Sequence, residues 1–200
     1  SSVKDCKVWV FSTPSQVVPV ICKAIKPYYD GQQIISTSKG LSANGMVSTD
    51  VIEKALGCHK DRVLALSGPS FANEVGAGKP TMVMLGGTRP IANSLKKLLE
   101  TDRFFIKVTT DKKGIQLLGF YKNVLAILMG LCEGLELGNN FKSALIARAY
   151  SEFYYLNTHK GEVRKHSFIH SAGLGDLYAT ATYHASRNRR CGFLLPKGKS

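Results

Sequence analysis

Residues 114–130 form an apolar stretch that has to be buried wherever it lies in the folded protein. The stretch reads GIQLLGFYKNVLAILMG and predicts a helix that is apolar on nearly every side, whereas a surface helix is apolar along one stripe. Lys122 and Asn123 interrupt it, and Ala126 and Gly130 follow Lys122 at one-turn intervals. These small residues would let another backbone or a ligand approach closely. We therefore expect a central helix around which the chain is organised.

The position of Lys122 in an apolar helix allows two interpretations. Lysine is rarely buried without a partner, so the amine could reach solvent along its apolar stem. Alternatively, it is a desolvated lysine held for chemistry, because burial lowers the pKa of a lysine. The charge and the glycines of this stretch also argue against a membrane span, for which roughly 18 uninterrupted apolar residues are expected.

Before residue 110, short apolar runs alternate with helical patterns. The runs that predict strands are 7–14, 33–38, 62–67, 80–85 and 104–108. Such alternation is typical of a largely parallel sheet with crossover helices. From Asp111, a predicted N-cap, only helical patterns follow, with a break near residues 138–140. The predicted fold is therefore α/β in residues 1–110 and all-α in residues 111–200.

The net charge and the cysteine spacing limit the classes of partner and of site that the chain can have. A net charge of +13 favours anionic partners, but no basic helix or basic patch interleaved with aromatic residues is present, so nucleic acid is not favoured. The five cysteines are widely spaced, without a Cys-x-x-Cys pair or a Cys/His cluster at zinc spacing. We expect reduced thiols in an intracellular protein, and no metal site.

The phosphate-binding glycine motif of dinucleotide-binding sheets is missing. Such a sheet opens with a strand and Gly-x-Gly-x-x-Gly, where amides at a helix N-terminus hold the pyrophosphate. This chain begins instead with a strand that looks internal to a sheet. Either it is not a nucleotide-binding fold, or it is a piece of one.

Two candidate ligand positions follow predicted strands, at the edge that faces the ligand crevice in open α/β sheets. Lys39 ends the second strand, and residues 68–72, GPSFA, follow the third. Gly68 allows close backbone approach, and Ser70 offers a hydroxyl and an amide. The plainer alternatives are a solvated lysine and an ordinary β–α turn in which Ser70 is the N-cap.

Two more candidates lie in the helical part. Asp176, in GLGDL, stands one helical turn before Thr180 and either pairs with a buried lysine or caps its own helix. Residues 186–190, SRNRR, contain arginines whose planar guanidinium groups suit phosphate. As a bare charge run, the same segment is a solvated face.

In this order, the motifs resemble those of NAD(P)-dependent glycerol-3-phosphate dehydrogenases. The family pattern is matched by LSGPSFANE at 66–74, by KNVLAI at 122–127 with the glycines that follow, and by GLGDL and SRN. The resemblance runs from residue 8 to residue 195, and the eleven residues from Asp176 to Arg187 are the longer spacing of bacterial-type members. Arg-Ala-Tyr at 148–150 departs from the usual Arg-Gly-Leu. With the glycine loop and the C-terminal remainder absent, we expect an internal fragment.

The resemblance implies a partial Rossmann-like sheet followed by a helical domain like that of 6-phosphogluconate dehydrogenase. It implies an oxidoreductase of glycerol-3-phosphate metabolism, which serves carbohydrate metabolism and phospholipid biosynthesis, with NAD or NADP as cofactor. The residue matching Lys122 is the catalytic acid/base, and Lys39 and Asp176 assist it. The residues implied to bind substrate are Lys39, Gly68, Ser70, Lys122, Asn123, Asp176, Thr180, Ser186, Arg187 and Asn188. Those implied to contact the cofactor are Pro14, Lys39, Ala72 and Arg187.

The resemblance also implies a homodimer when full length, acting on a small phosphorylated substrate in the cytoplasm or in a peroxisome-type organelle, without nucleic acid or membrane as partner. Two alternatives stay open. One is a related β-hydroxyacid-type dehydrogenase whose substrate lacks phosphate. The other is an inactive fragment or paralogue acting as a basic binding module.

Overall fold

The N-terminal part of the protein is built on one five-stranded sheet. The structure is a computed structural model and describes residues 3–183 and 186–198. Its strands, side by side in chain order, are β1 (Val8–Phe11), β2 (Gln33–Ser36), β3 (Val63–Ser67), β4 (Thr81–Gly86) and β5 (Phe104–Thr109). Strands β1, β2 and β3 are parallel, with Trp9 opposite Ile34 and Ile34 opposite Val63. The carboxyl ends of these three strands therefore meet at one edge of the sheet.

Strand β4 runs antiparallel to β3, and β5 is parallel to β4. The sheet is thus mostly parallel, as predicted, but it reverses once. The connection between β3 and β4, residues 68–80, contains one short helix, α3 (Ala72–Gly76), of five residues. At 1.5 Å per residue this helix advances about 7 Å, less than a strand of about 17 Å, so it does not serve as the crossover helix of a parallel pair.

Helices cover both faces of the sheet. α1 (Val18–Ile25) and α2 (Ser48–Leu56) pack on one face, where Val18, Ile34 and Ile52 are completely buried. α4 (Arg89–Leu99) packs on the other face through Ala92 and Leu95. The alternation of apolar runs and helical patterns thus gives a three-layered α/β unit.

The helical part begins with a long central helix. Its helices are α5 (Lys112–Gly134), α6 (Gly138–His159), α7 (Lys165–Phe168), α8 (Asp176–Thr182) and α9 (Arg187–Leu194). By length and by the mean hydropathy of its most apolar 18-residue window, 1.6, α5 meets the requirement for a membrane span. Half of that window is buried inside the protein, which is also how the core helix of a folded domain looks.

The small residues on α5 admit another helix rather than a ligand. A Cβ added to Gly130 would lie 1.9 Å from the Arg189 carbonyl oxygen, and one added to Gly192 would lie 2.0 Å from the Ile127 carbonyl oxygen. The backbones of α5 and α9 therefore touch at this crossing. This contact holds α9, and with it the SRNRR segment, against the central helix.

Asp111 caps α5, as predicted, and ties it to α7. Its carboxylate accepts hydrogen bonds from the Gly114 and Arg164 backbone amides at 3.2 and 2.8 Å, and from the Ser167 hydroxyl at 2.5 Å. Asp111 is 6% exposed. Neutral donors thus satisfy a buried carboxylate at the junction of the two parts.

Candidate active site

Asp176 lies between two lysines that are distant in the sequence. Lys122 Nζ donates to Asp176 Oδ1 at 2.5 Å, and Lys39 Nζ donates to Asp176 Oδ2 at 2.9 Å. Asp176 is 1% exposed and Lys122 is 8% exposed, whereas the Lys39 side chain is 25% exposed. The structure therefore supports a buried Lys122 rather than one that reaches solvent. It also shows that the Asp176 carboxylate pairs with the two lysines rather than capping its own helix.

Each of the three residues is placed by a different element. Lys122 is in the middle of α5, whose apolar surroundings bury it. Lys39 follows β2 at the carboxyl edge of the sheet. Asp176 is the first residue of α8, after a π-helical turn over Ser171–Gly175. The site therefore forms only when the sheet, α5 and α8 come together.

The surroundings of Lys122 change its acidity. Burial, above all, and the neighbouring charge of Lys39 lower the pKa of Lys122 from its ordinary 10.5 to about 8, although Asp176 acts in the opposite direction. Burial and the second ammonium group beside it both favour the neutral amine of Lys122, so it loses its proton more readily than an ordinary lysine. Lys122 can therefore exchange a proton near neutral pH.

The GPSFA segment supports Lys39. The Gly68 carbonyl accepts from Lys39 Nζ at 2.7 Å and from the Ser70 hydroxyl at 3.1 Å. Gly68 has φ +145°, and an added Cβ would lie 3.0 Å from Val83 Cα, so only glycine fits there. The alternative of Ser70 as an N-cap is wrong, because Phe71 holds the cap position of α3 without a side-chain bond.

Lys122 opens into a cavity of about 480 Å³ between the GPSFA segment and the helical part. Its lining residues are Phe71, Lys122, Asn123, Thr180, Tyr183, Ser186, Arg187 and Asn188. This wall combines one buried amine with an exposed guanidinium and several amide and hydroxyl groups, a composition suited to a small anion. A larger cavity of about 680 Å³ beside α6 is mostly apolar, and among the described residues Lys142 is the only charged one in its lining.

Hydrogen bonds hold the polar lining in place. Asn188 Nδ2 donates to Asn123 Oδ1 at 2.9 Å, which links α9 to α5. The Thr180 hydroxyl donates to the Asp176 carbonyl at 2.7 Å. Ser186 caps α9, where its Oγ accepts from the Arg189 amide at 3.4 Å.

Six predicted residues do not line this cavity, and two of them, Lys39 and Asp176, reach it only through their ion pairs around Lys122. Gly68 and Ser70 lie behind it, against Lys39. Pro14 lies in the turn after β1 and Ala72 is the first residue of α3, and both are exposed. The turn containing Pro14 is nevertheless tied to the Lys39 loop, because the Ser38 hydroxyl donates to the Thr13 carbonyl at 2.6 Å.

Two lining residues escaped prediction from the sequence. Phe71 lies inside the GPSFA motif, but from the sequence an aromatic residue there indicates a packing role rather than a position in a cavity wall. Tyr183 follows α8 without any local signal. Only their common position in the cavity wall could have identified them.

Comparison with known proteins finds the same family in both parts of the chain. The family model described as NAD-dependent glycerol-3-phosphate dehydrogenase N-terminus matches residues 1–92, and its C-terminus counterpart matches residues 111–200. The chain belongs to this dehydrogenase family. The family predicted from the order of the motifs is thus confirmed by matches over most of the sequence.

Individual members of the family agree in sequence and structure. A relative from Carboxydothermus hydrogenoformans, named glycerol-3-phosphate dehydrogenase (NAD(P)+), is 36% identical over 202 residues, which cover 100% of this chain and 60% of the relative. The crystal structure of glycerol-3-phosphate dehydrogenase from Coxiella burnetii has 34% identity and a TM-score of 0.89, over 98% of this chain and 60% of that one. The structure of glycerol-3-phosphate dehydrogenase from Saccharomyces cerevisiae has 30% identity and a TM-score of 0.82, over 98% of this chain and 59% of that one. The chain therefore spans about 60% of the length of these dehydrogenases.

Proposed function

We propose that this chain carries the acid/base and substrate site of a glycerol-3-phosphate dehydrogenase. The reaction is dihydroxyacetone phosphate + NAD(P)H + H⁺ to sn-glycerol 3-phosphate + NAD(P)⁺, and its reverse. The observation that carries the proposal is the contact of buried Lys122 with Asp176 and the cavity. Family membership supports the same activity.

Lys122 is the proton donor in reduction and the acceptor in oxidation. In reduction, its ammonium protonates the C2 oxygen of the ketone as the carbon is reduced, which leaves a hydroxyl on C2 and a neutral amine on Lys122. A pKa of about 8 suits both directions, because each protonation state is populated near neutral pH. Asp176 and Lys39 assist by orienting the amine and by setting its acidity.

The phosphate of the substrate binds at the α9 side of the cavity. Arg187 is exposed at the rim, and Ser186 and Asn188 lie on either side of it. A guanidinium group binds phosphate through paired charged hydrogen bonds. Asn123 and Thr180 complete the lining, while Gly68 and Ser70 hold Lys39 at the edge of the substrate site.

The carboxyl edge of the sheet fits the nicotinamide end of the cofactor. The Thr13 and Ser67 hydroxyls, at the ends of β1 and β3, are buried without a hydrogen-bond partner among the described residues. Polar groups left in this way suit a ligand at the crevice of an α/β sheet. The residues that would hold the cofactor from this chain are Pro14, Lys39, Ala72 and Arg187. When bound, NAD(P) supplies or accepts the hydride.

The remaining assignments of this proposal concern the whole protein. We assign residues 1–110 to the cofactor domain and residues 111–200 to the substrate domain, and we propose a cytoplasmic homodimer without nucleic acid or membrane as partner. The match of the two family models to residues 1–92 and 111–200 supports the division.

The direct test uses the full-length protein and NADH or NADPH absorbance. We expect oxidation of the reduced cofactor on addition of dihydroxyacetone phosphate, and much weaker oxidation with unphosphorylated dihydroxyacetone. Preference for the unphosphorylated ketone or a hydroxyacid would contradict the phosphate site and favour a β-hydroxyacid-type enzyme. No turnover, together with salt-sensitive DNA binding, would favour a basic binding module.

A further inference from the structure

An aromatic stack joins the two parts of the protein at the cavity. The Phe71 and Tyr183 rings lie with their centroids 4.1 Å apart and their planes at 21°. Phe71 precedes α3 on the sheet side, and Tyr183 ends α8 on the helical side. The Asn73 amide also approaches the Tyr183 hydroxyl at 3.5 Å. The contact therefore spans the two parts next to the proposed proton-transfer site.

The stack forms part of the wall around Lys122. Both rings line the cavity of about 480 Å³ that contains Lys122. Although this cavity opens to solvent, Lys122 is only 8% exposed. Stacked rings present apolar faces that exclude water and add attraction to each other beyond simple area burial. Loss of one ring would leave a gap on this side of the cavity.

We propose that the Phe71–Tyr183 stack is a wall that limits the access of water to Lys122, and that Tyr183 is a positioning residue for its proton transfer. This inference rests on the proposed function, since it assigns the stack a part in the same reaction. Tyr183 does not exchange a proton itself, and its aromatic ring carries the effect. The Tyr183→Phe variant, which keeps the ring, should therefore behave like the wild type.

The charges around Lys122 are independent of the stack. Asp176 from α8 and Lys39 from the loop after β2 face its amine directly, and Arg187 from α9 lines the same cavity. A substitution of Tyr183 changes none of these groups. A change in the titration of Lys122 would thus report its hydration rather than a new charge.

The test is a titration of Lys122 in the full-length protein, labelled with ¹³C at the ε-carbon of lysine and followed by NMR. Lys122→Arg identifies the signal. We expect Tyr183→Ala to raise the pKa of Lys122 by about one unit, towards the ordinary lysine value, because water reaches the amine. Tyr183→Phe should titrate like the wild type. Tyr178→Ala is the matched control, since Tyr178 is on the same helix but 69% exposed.

The reaction provides a second measurement. The pH at which kcat for dihydroxyacetone phosphate reduction falls to half should rise by the same amount in Tyr183→Ala and stay unchanged in Tyr183→Phe. If the wild type does not reduce this ketone, the proposed function fails, and the NMR titration still tests the wall.

An unchanged Lys122 titration in folded Tyr183→Ala would overturn the inference, as would a Tyr183→Phe variant that behaves like Tyr183→Ala. If Tyr183→Ala does not fold, Phe71→Leu removes the stack while retaining apolar volume. The pKa of Lys122 should then rise by a smaller amount, and no rise would overturn the inference equally.

Discussion

Asp111 and Asp176 are both buried carboxylates at the start of a helix, but their partners differ in kind. Asp111 accepts hydrogen bonds from two backbone amides and a serine hydroxyl, all of them neutral. Asp176 binds two lysine ammonium groups, one on each oxygen. The first arrangement joins α5 to α7, and the second faces a cavity through Lys122.

Under the proposed function, the difference separates a carboxylate that stabilises the fold from one that assists proton transfer. Neutral donors compensate the burial of a charge without bringing in another titratable group. A carboxylate shared between two ammonium groups leaves an excess positive charge in a poorly solvated place, so one proton becomes easier to remove. We therefore expect substitutions around Asp176 to change catalysis and acidity, and substitutions around Asp111 to change stability.

The largest expected effect is that of Lys122→Ala. Loss of the proposed proton donor should reduce kcat of the full-length protein by about 10²–10⁴-fold, with cofactor binding retained, as measured by NADH absorbance and fluorescence titration. Lys113→Ala is the control on the same helix, because its ion pair with Glu162 is exposed and contributes little. A Lys122→Ala variant that keeps most of its kcat would contradict the role of this lysine.

Asp111→Ala should leave the chemistry intact but destabilise the fold. It strips three donors of their acceptor, two of them fully buried, so the free energy of unfolding should fall by about 2–4 kcal/mol, measured by urea denaturation. Asp102→Ala, at an exposed position, should change it by less than about 0.5 kcal/mol. If Asp111→Ala instead lowered kcat at unchanged stability, the two carboxylates would not differ as described.

With Lys122 as the proposed acid/base, the full-length protein should show opposite pH profiles in the two directions of the proposed reaction. Ketone reduction needs the protonated Lys122, so kcat/KM should fall as pH rises through about 8, the pKa of that amine. Alcohol oxidation needs the neutral amine, and its kcat/KM should rise through the same pH. Profiles with the same slope in both directions would exclude Lys122 as the group that titrates.

The smallest expected effect is a shift in the pKa of Lys122 in the Lys39→Met variant. The ammonium of Lys39 lowers the pKa of Lys122 by repulsion, so its removal should raise this pKa by about half a unit to one unit. Asp176→Asn should have the opposite effect, because the carboxylate raises the pKa of Lys122. Titration of the Lys122 ¹³C signal measures both variants, and shifts of the same sign would refute the electrostatic account.

Local patterns in the sequence predicted much of the fold. The five strands and the central helix lie where apolar periodicity placed them, and Asp111 caps that helix as its residue type suggested. The reversal at β4 was missed, because strand direction depends on where the chain can return. The short helix α3 in the connection before β4 shows no strong pattern of its own.

The candidate site was likewise predictable from the sequence only in part. That Lys122 stands in an apolar helix is visible in the sequence, but whether it is buried or reaches solvent was left open. The partner that decides this, Asp176, lies 54 residues away, and Lys39 lies 137 residues from that aspartate. Contacts over such separations depend on packing, which no local periodicity records.

The sequence by itself determined the order of strands and helices, the burial of the central helix and the motifs of the dehydrogenase family. These follow from short-range geometry and from residue types at fixed spacing. Only the tertiary structure decided that two lysines share Asp176, that α9 crosses α5 at Gly130 and Gly192, and that Phe71 stacks on Tyr183. The physical reason is that desolvation and charge coupling exist only after distant segments have come into contact.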